Sequence, residues 1–86
     1  MDIKDNNKIY DINFLKNTLE KLDVSGKKCG IRQEGIEQLT KLKILNANDN
    51  ENINDINFAK NTLEILYASS DSGITQKGIE ELKKLN

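Results

Sequence analysis

Eighty-six residues, 36% hydrophobic and 31% charged, are enough for one small domain, 1–86, whose core is marginal by surface-to-volume scaling. Lys and Arg number 13 against 14 Asp and Glu, and the resulting formal charge of −1 gives no pull toward nucleic acid or anionic lipid. No stretch approaches the roughly 18 to 20 apolar residues of a membrane span, and residues 1–10 (MDIKDNNKIY) lack the apolar core of a signal peptide. A lone cysteine, Cys29, and the absence of histidine rule out a disulfide within one chain and the common structural zinc sites. The expectation is a cytoplasmic protein with no cofactor, no metal, no nucleic-acid partner and no membrane partner.

The chain repeats itself. Residues 11–20 read DINFLKNTLE and residues 55–64 read DINFAKNTLE, one mismatch at an offset of 44 (55 minus 11). Residues 30–42 read GIRQEGIEQLTKL and residues 73–85 read GITQKGIEELKKL, at an offset of 43 (73 minus 30), so a one-residue difference falls within 25–29. This unit halves. In chain order, LEKLDVSGKKCGI from Leu19, LKILNANDNENI from Leu42 and LEILYASSDSGI from Leu63 share the frame Leu, two residues, Leu, one residue, small apolar residue. Ile31, Ile53 and Ile74 close the frames, whose starts lie 23 (42 minus 19) and 21 (63 minus 42) residues apart. Shifting residues 47–63 back by 44 sets residues 3–19 on the same template, with Asn6, Ile9 and Phe14 matching Asn50, Ile53 and Phe58. Four repeats result, at 1–18 (truncated), 19–41, 42–62 and 63–86.

The pattern resembles the leucine-rich-repeat family, and Leu42, Leu45, Ala47, Asn50 and Ile53 match it best. Asp71 stands where the family has Asn, and an extra residue near Lys27 and Lys28 shifts the second repeat. The resemblance implies an α/β leucine-rich-repeat solenoid, with a short parallel sheet on the concave side and helices or turns on the convex side. It also implies that Asn6 and Asn50 form an asparagine ladder satisfying backbone groups of the turns. On the convex side, DINFLKNT and DINFAKNT are long enough only for a helical turn. QEGIEQLTKL and QKGIEELKKL predict helices, because Ile36 with Leu39, and Ile79 with Leu82, sit at helical spacing. Glu37 with Lys41 and Glu80 with Lys84 add i,i+4 pairs. Phe14 and Phe58, at equivalent places, are expected to fill the space between strand and outer layers.

Nothing in the chain assembles a catalytic set. Cys29 has no histidine to activate it, and Ser72 takes its place in the sister repeat. The run Asn48, Asp49, Asn50, Glu51, Asn52 has Ile53 where a calcium-binding loop needs glycine, so it reads as a turn. The glycines never form a phosphate-binding pattern and mark turns and helix starts. The expected protein is not an enzyme.

Two surfaces remain. In a solenoid of the resembled family the outward strand residues form a recognition face. Across the repeats they make four columns: Glu20, Lys43 and Glu64; Lys21, Ile44 and Ile65; Asp2, Asp23, Asn46 and Tyr67; Lys4, Ser25, Asn48 and Ser69. Ile44, Ile65 and Tyr67 would be neighbours there, rimmed by charge, as in a protein-binding hot spot. The second surface is the pair of ends. Neither carries a polar cap, leaving Ile3, Ile9 and Phe14 at one and Ile74, Ile79 and Leu82 at the other, while Leu85 starts a further Leu-x-x-Leu frame and Met1 falls at the second Leu place of its own. The leading expectation is a noncatalytic protein-binding module using the concave columns. The alternatives are a self-assembly unit stacking head to tail into a homo-oligomer through its uncapped ends, or a fragment of a longer repeat protein.

Overall fold

The Leu-x-x-Leu-x-apolar runs alternate inward and outward side chains, as a half-buried strand requires. Three of them form strands: β1 (Lys21–Asp23), β2 (Ile44–Asn46) and β3 (Ile65–Tyr67). The computed structural model describes residues 1–69 and 71–84, so Leu85 lies outside the described residues. The strands make one open parallel sheet in the order β1-β2-β3. Leu22, Leu45 and Leu66 are in register and turn inward, the first two buried and the third half-buried. Asp2 adds a single parallel bridge to Asp23, which brings the N-terminal segment beside β1.

β1 and β2, and the N-terminal bridge at Asp2, end where the side chain of their last residue turns the backbone. Asp23 Oδ1 accepts from the Ser25 N–H at 2.9 Å, Asn46 Oδ1 from the Asn48 N–H at 3.0 Å, and Asp2 Oδ1 from the Lys4 N–H at 3.0 Å. Such bonds to the residue two positions on compete with strand continuation.

Among the described residues the other side carries four 3-10 turns, at Asn13–Leu15, Gln33–Gly35, Asn57–Ala59 and Gln76–Ile79. Among the described residues there is no α-helix, which corrects the α/β expectation and the helices foreseen over QEGIEQLTKL and QKGIEELKKL. The physical reason lies in the neighbouring repeat. An α-helix there would bond the Gln38 N–H to the Glu34 carbonyl. Instead Asn13 inserts its amide between them: Nδ2 donates to the Glu34 carbonyl at 2.9 Å, and Oδ1 accepts from the Gln38 N–H at 2.9 Å. Asn57 does the same to Lys77 and Glu81, at 3.2 and 3.0 Å. The apolar spacing of three also suits three-residue turns, whose side chains eclipse at i and i+3. Ile36, Leu39 and Leu42 are all fully buried, linked by bonds from the Leu39 N–H to the Ile36 carbonyl and from the Leu42 N–H to the Leu39 carbonyl. The foreseen pairs Glu37–Lys41 and Glu80–Lys84 are not among the ion pairs of the described residues; Lys60 with Glu81 is, at 3.9 Å.

Between the layers lies one apolar core that includes Ile12, Val24, Ile31, Ile36, Leu45, Ile53, Ile56 and Leu63. Asn50 enters it, 1% exposed. Its Nδ2 donates to the Val24 and Ile31 carbonyls at 2.8 and 3.3 Å, and its Oδ1 accepts from the Asn52 N–H at 3.0 Å, so the buried amide is satisfied. Asn6 caps its own loop through Oδ1, accepting from the Lys8 and Ile9 N–H groups at 2.8 and 3.2 Å. Gly35 and Gly78 allow close contact between neighbouring turns, since a Cβ at either would run into the carbonyl oxygen of Tyr10 or Asn54. Phe14 is not a core residue as foreseen. It is 77% exposed at one end of the molecule, while Phe58, in the interior repeat, is half-buried and packs against the core.

Candidate functional site

The face of the sheet opposite Leu22 and Leu45 is open. Strand register puts Lys21, Ile44 and Ile65 in one row and Asp23, Asn46 and Tyr67 in the next, with Asp2 bridging to Asp23. The second and third sequence columns are therefore spatial rows. Ile65 is 38% and Tyr67 51% exposed, and Ile44 is half-buried between them and β1. A shallow hollow of about 300 Å³ runs across this face from Met1 and Asp2 past Lys21, Leu22 and Asp23 to Ile44, Asn46 and Tyr67.

The first column, Glu20, Lys43 and Glu64, forms the charged rim at the start of the strands. The Lys43 N–H donates to the Glu20 carbonyl and the Glu64 N–H to the Lys43 carbonyl, at 2.7 and 2.8 Å, and Lys43 Nζ lies 3.8 Å from Glu20 Oε2. Both side chains of that pair are about half exposed, so it adds little stability and stays free to exchange for a partner's charges.

The fourth column does not join the face. Ser25 is buried, its hydroxyl donating to Asp23 Oδ1 at 2.6 Å, and Ser69 is tied to Asp49, accepting from its N–H at 3.0 Å. Asn48 is half-buried in the loop, and its carbonyl accepts from the Gly26 N–H at 2.8 Å. Asp23 and Asn46 also spend their side-chain oxygens on the turns that end their strands. Tyr67, at the equivalent place on β3, carries a side chain of another kind and is the most exposed of the row beyond the N-terminal Asp2 segment. The face thus offers apolar and aromatic contact at Ile44, Ile65 and Tyr67 and charge at Glu20, Lys21, Lys43 and Glu64.

Cys29 lies away from this face. It is buried, and its thiol donates to the Ile3 carbonyl at 3.5 Å. Burial pushes its pKa up; a backbone hydrogen bond from Ile31 acts against that rise, and the Asp5 and Asp23 carboxylates add to it. Such a thiol is a poor nucleophile at neutral pH. The acidic loop at Asn48–Asn52 is a turn in which Asp49 takes a left-handed conformation (φ 63°) and Asn50 points inward.

At the ends, Ile3 is buried rather than presented, because its side chain joins the core beside Val24 and Cys29. Ile9, Ile74, Ile79 and Leu82 are half-buried, and Phe14 stands out into solvent. Three residues that organise the contacts between repeats were not singled out from the sequence: Asn13, Asn57 and Gln33. The signal was there, since Asn13 recurs as Asn57 and Gln33 as Gln76 at the repeat offsets. Gln33 Oε1 accepts from the Asn54 and Asp55 N–H groups at 3.0 and 2.9 Å, and its Nε2 donates to the Asp55 carbonyl.

Fold and face together define a small protein with an open parallel sheet and short 3-10 turns. No family model, no curated protein and no solved structure matches the chain. No helix among the described residues is long and apolar enough to cross a membrane.

Proposed function

We propose that this chain is a short leucine-rich-repeat solenoid that binds a protein partner, without catalysis, on the open face of its sheet. The observation that carries the reading is the exposure of Ile65 and Tyr67 beside Ile44 on one face, at the edge of a hollow, with charged side chains at the rim. Aromatic and apolar anchors surrounded by polar groups are what a binding hot spot requires, and the strand-borne positions are held rigidly enough to be preorganised. The buried amide of Asn50, at the asparagine place of the repeat and bonded to two carbonyls of the preceding repeat, supports the solenoid assignment.

The test is capture of partners from a lysate followed by affinity measurement with purified components. Replacing Tyr67 with Ser, and separately Ile65 with Ser, lowers affinity by about tenfold or more each if these are anchors. Both side chains are exposed enough that the melting temperature stays near that of the parent. A captured partner whose affinity is unchanged by both substitutions overturns the assignment of the site.

A further inference from the structure

Both ends of the molecule carry halves of one joint that the interior already makes. Between the second and third repeats, the Gln33 side chain clasps the backbone of Asn54 and Asp55 with three hydrogen bonds, and the Gln33 N–H donates to the Asn52 carbonyl at 3.1 Å. In return Asn50 reaches back and donates to the Val24 and Ile31 carbonyls. The sister of Gln33 is Gln76, exposed at the far end of the last repeat. The sisters of Asn54 and Asp55 are Tyr10 and Asp11, on the outer side of the first repeat. Among the described residues the Gln76 amide, the Tyr10 and Asp11 N–H groups and the Asp11 carbonyl make no hydrogen bond. Asn6, the sister of Asn50, uses its Oδ1 in the same way, yet its Nδ2 bonds to no described residue. The carbonyls that would match Val24 and Ile31 are those of Ala68 and Ile74, on the last repeat.

We propose that a second copy of this chain docks head to tail on the first, repeating the internal joint. Gln76 of one copy clasps the Tyr10 and Asp11 backbone of the next, and Asn6 of that next copy donates back to Ala68 and Ile74. The sheet continues in the same register: the Val24 N–H donates to the Asn46 carbonyl and the Ala47 N–H to the Tyr67 carbonyl, at 2.9 and 2.8 Å, so the next step joins the Ala68 N–H to the Asp2 carbonyl. Apolar surface matches as well. Ile31 and Ile36 are fully buried inside the molecule, whereas their sisters Ile74 and Ile79 are half-buried, and Phe14 at the opposite end is 77% exposed. Two surfaces that differ from each other but fit give a heterologous contact, which propagates beyond a dimer unless the rotation closes a ring. This joint uses the ends and the outer edges of the sheet, and it does not depend on a partner binding the sheet face.

Sedimentation velocity on the 86-residue chain, from micromolar to millimolar concentration, tests it. The expected result is an average mass that rises with concentration past the dimer or to a closed ring. Gln76→Ala and Asn6→Ala each shift the midpoint to about tenfold higher concentration or more, the loss expected when two or three interfacial hydrogen bonds go. Gln76→Ala keeps the parent melting curve at the lowest concentration, and Asn6→Ala lowers it only by the cost of the cap that its Oδ1 gives the Lys8 and Ile9 N–H groups. A chain that stays monomeric throughout overturns the proposal, and so does association that neither substitution weakens, which would mark contact through some other surface.

Discussion

Asn50 shows how much one side chain carries in a domain this small. It satisfies two carbonyls shut away from water and one half-buried N–H, and an apolar residue of similar size leaves all three unpaired. Asn50→Leu is expected to cost about 1–3 kcal/mol per group left buried without a partner, up to the whole stability of the fold, read as a loss of melting temperature of about 4–8 °C per kcal/mol. An unchanged melting temperature would show that the amide is dispensable. Asn6, bonded only through its oxygen and half-buried, loses much less in the monomer. Cys29 yields a pH prediction. Its folded pKa is raised by burial, so between the unfolded thiol's value, about 8.5, and the higher folded value the unfolded state holds fewer protons than the folded one. Stability is therefore fully present below about pH 8.5 and falls as pH rises above it. Denaturant melts at pH 7 and pH 10 measure the loss, and Cys29→Ala removes the thiol's share of it. At pH 8 the native thiol should react with iodoacetamide far more slowly than the unfolded one.

The outer segments illustrate how an element is decided by its neighbours. Ile36 and Leu39, like Ile79 and Leu82, are spaced by three, a spacing that an α-helix and a chain of 3-10 turns both accommodate. The choice falls to Asn13 and Asn57, whose amides take the acceptor and donor an α-helical bond would have used. The far-UV circular dichroism of the protein is accordingly expected to lack a helical minimum at 222 nm, and a strong one would refute the turn assignment. Asn57→Ala frees the Lys77 carbonyl and the Glu81 N–H, both near solvent, so its expected cost is about 1 kcal/mol, measured by thermal melting. Gly78→Ala acts on the same element from the inside. Its new methyl meets the Asn54 carbonyl oxygen, and the forced separation of two packed turns is expected to cost about 1–3 kcal/mol in urea unfolding.

At the scale of the whole molecule, successive repeats are joined by strand register, by paired side-chain amides and by one core, and the two outermost surfaces are the least complete. The inward Asn50 was expected only from the family resemblance, but the parallel rows and the inward leucines were legible in the sequence, because each depends on a period that survives in a string of letters: two residues along a strand, 43 or 44 along the chain. The neighbours Ile44, Ile65 and Tyr67 on the open face were legible for the same reason. The sequence by itself determined which residues share a row and which segments are sisters. Only the tertiary structure decided what those rows and sisters do: that Ser25 turns inward and Asp23 is occupied by its own turn, that Phe14 projects while Phe58 packs, and that the outer segments coil as 3-10 turns. The first is set by bonds within the turn between Asp23 and Ser25, whereas the other two rest on hydrogen bonds between repeats some 20 residues apart or on whether a repeat has a neighbour on both sides, which no local pattern records.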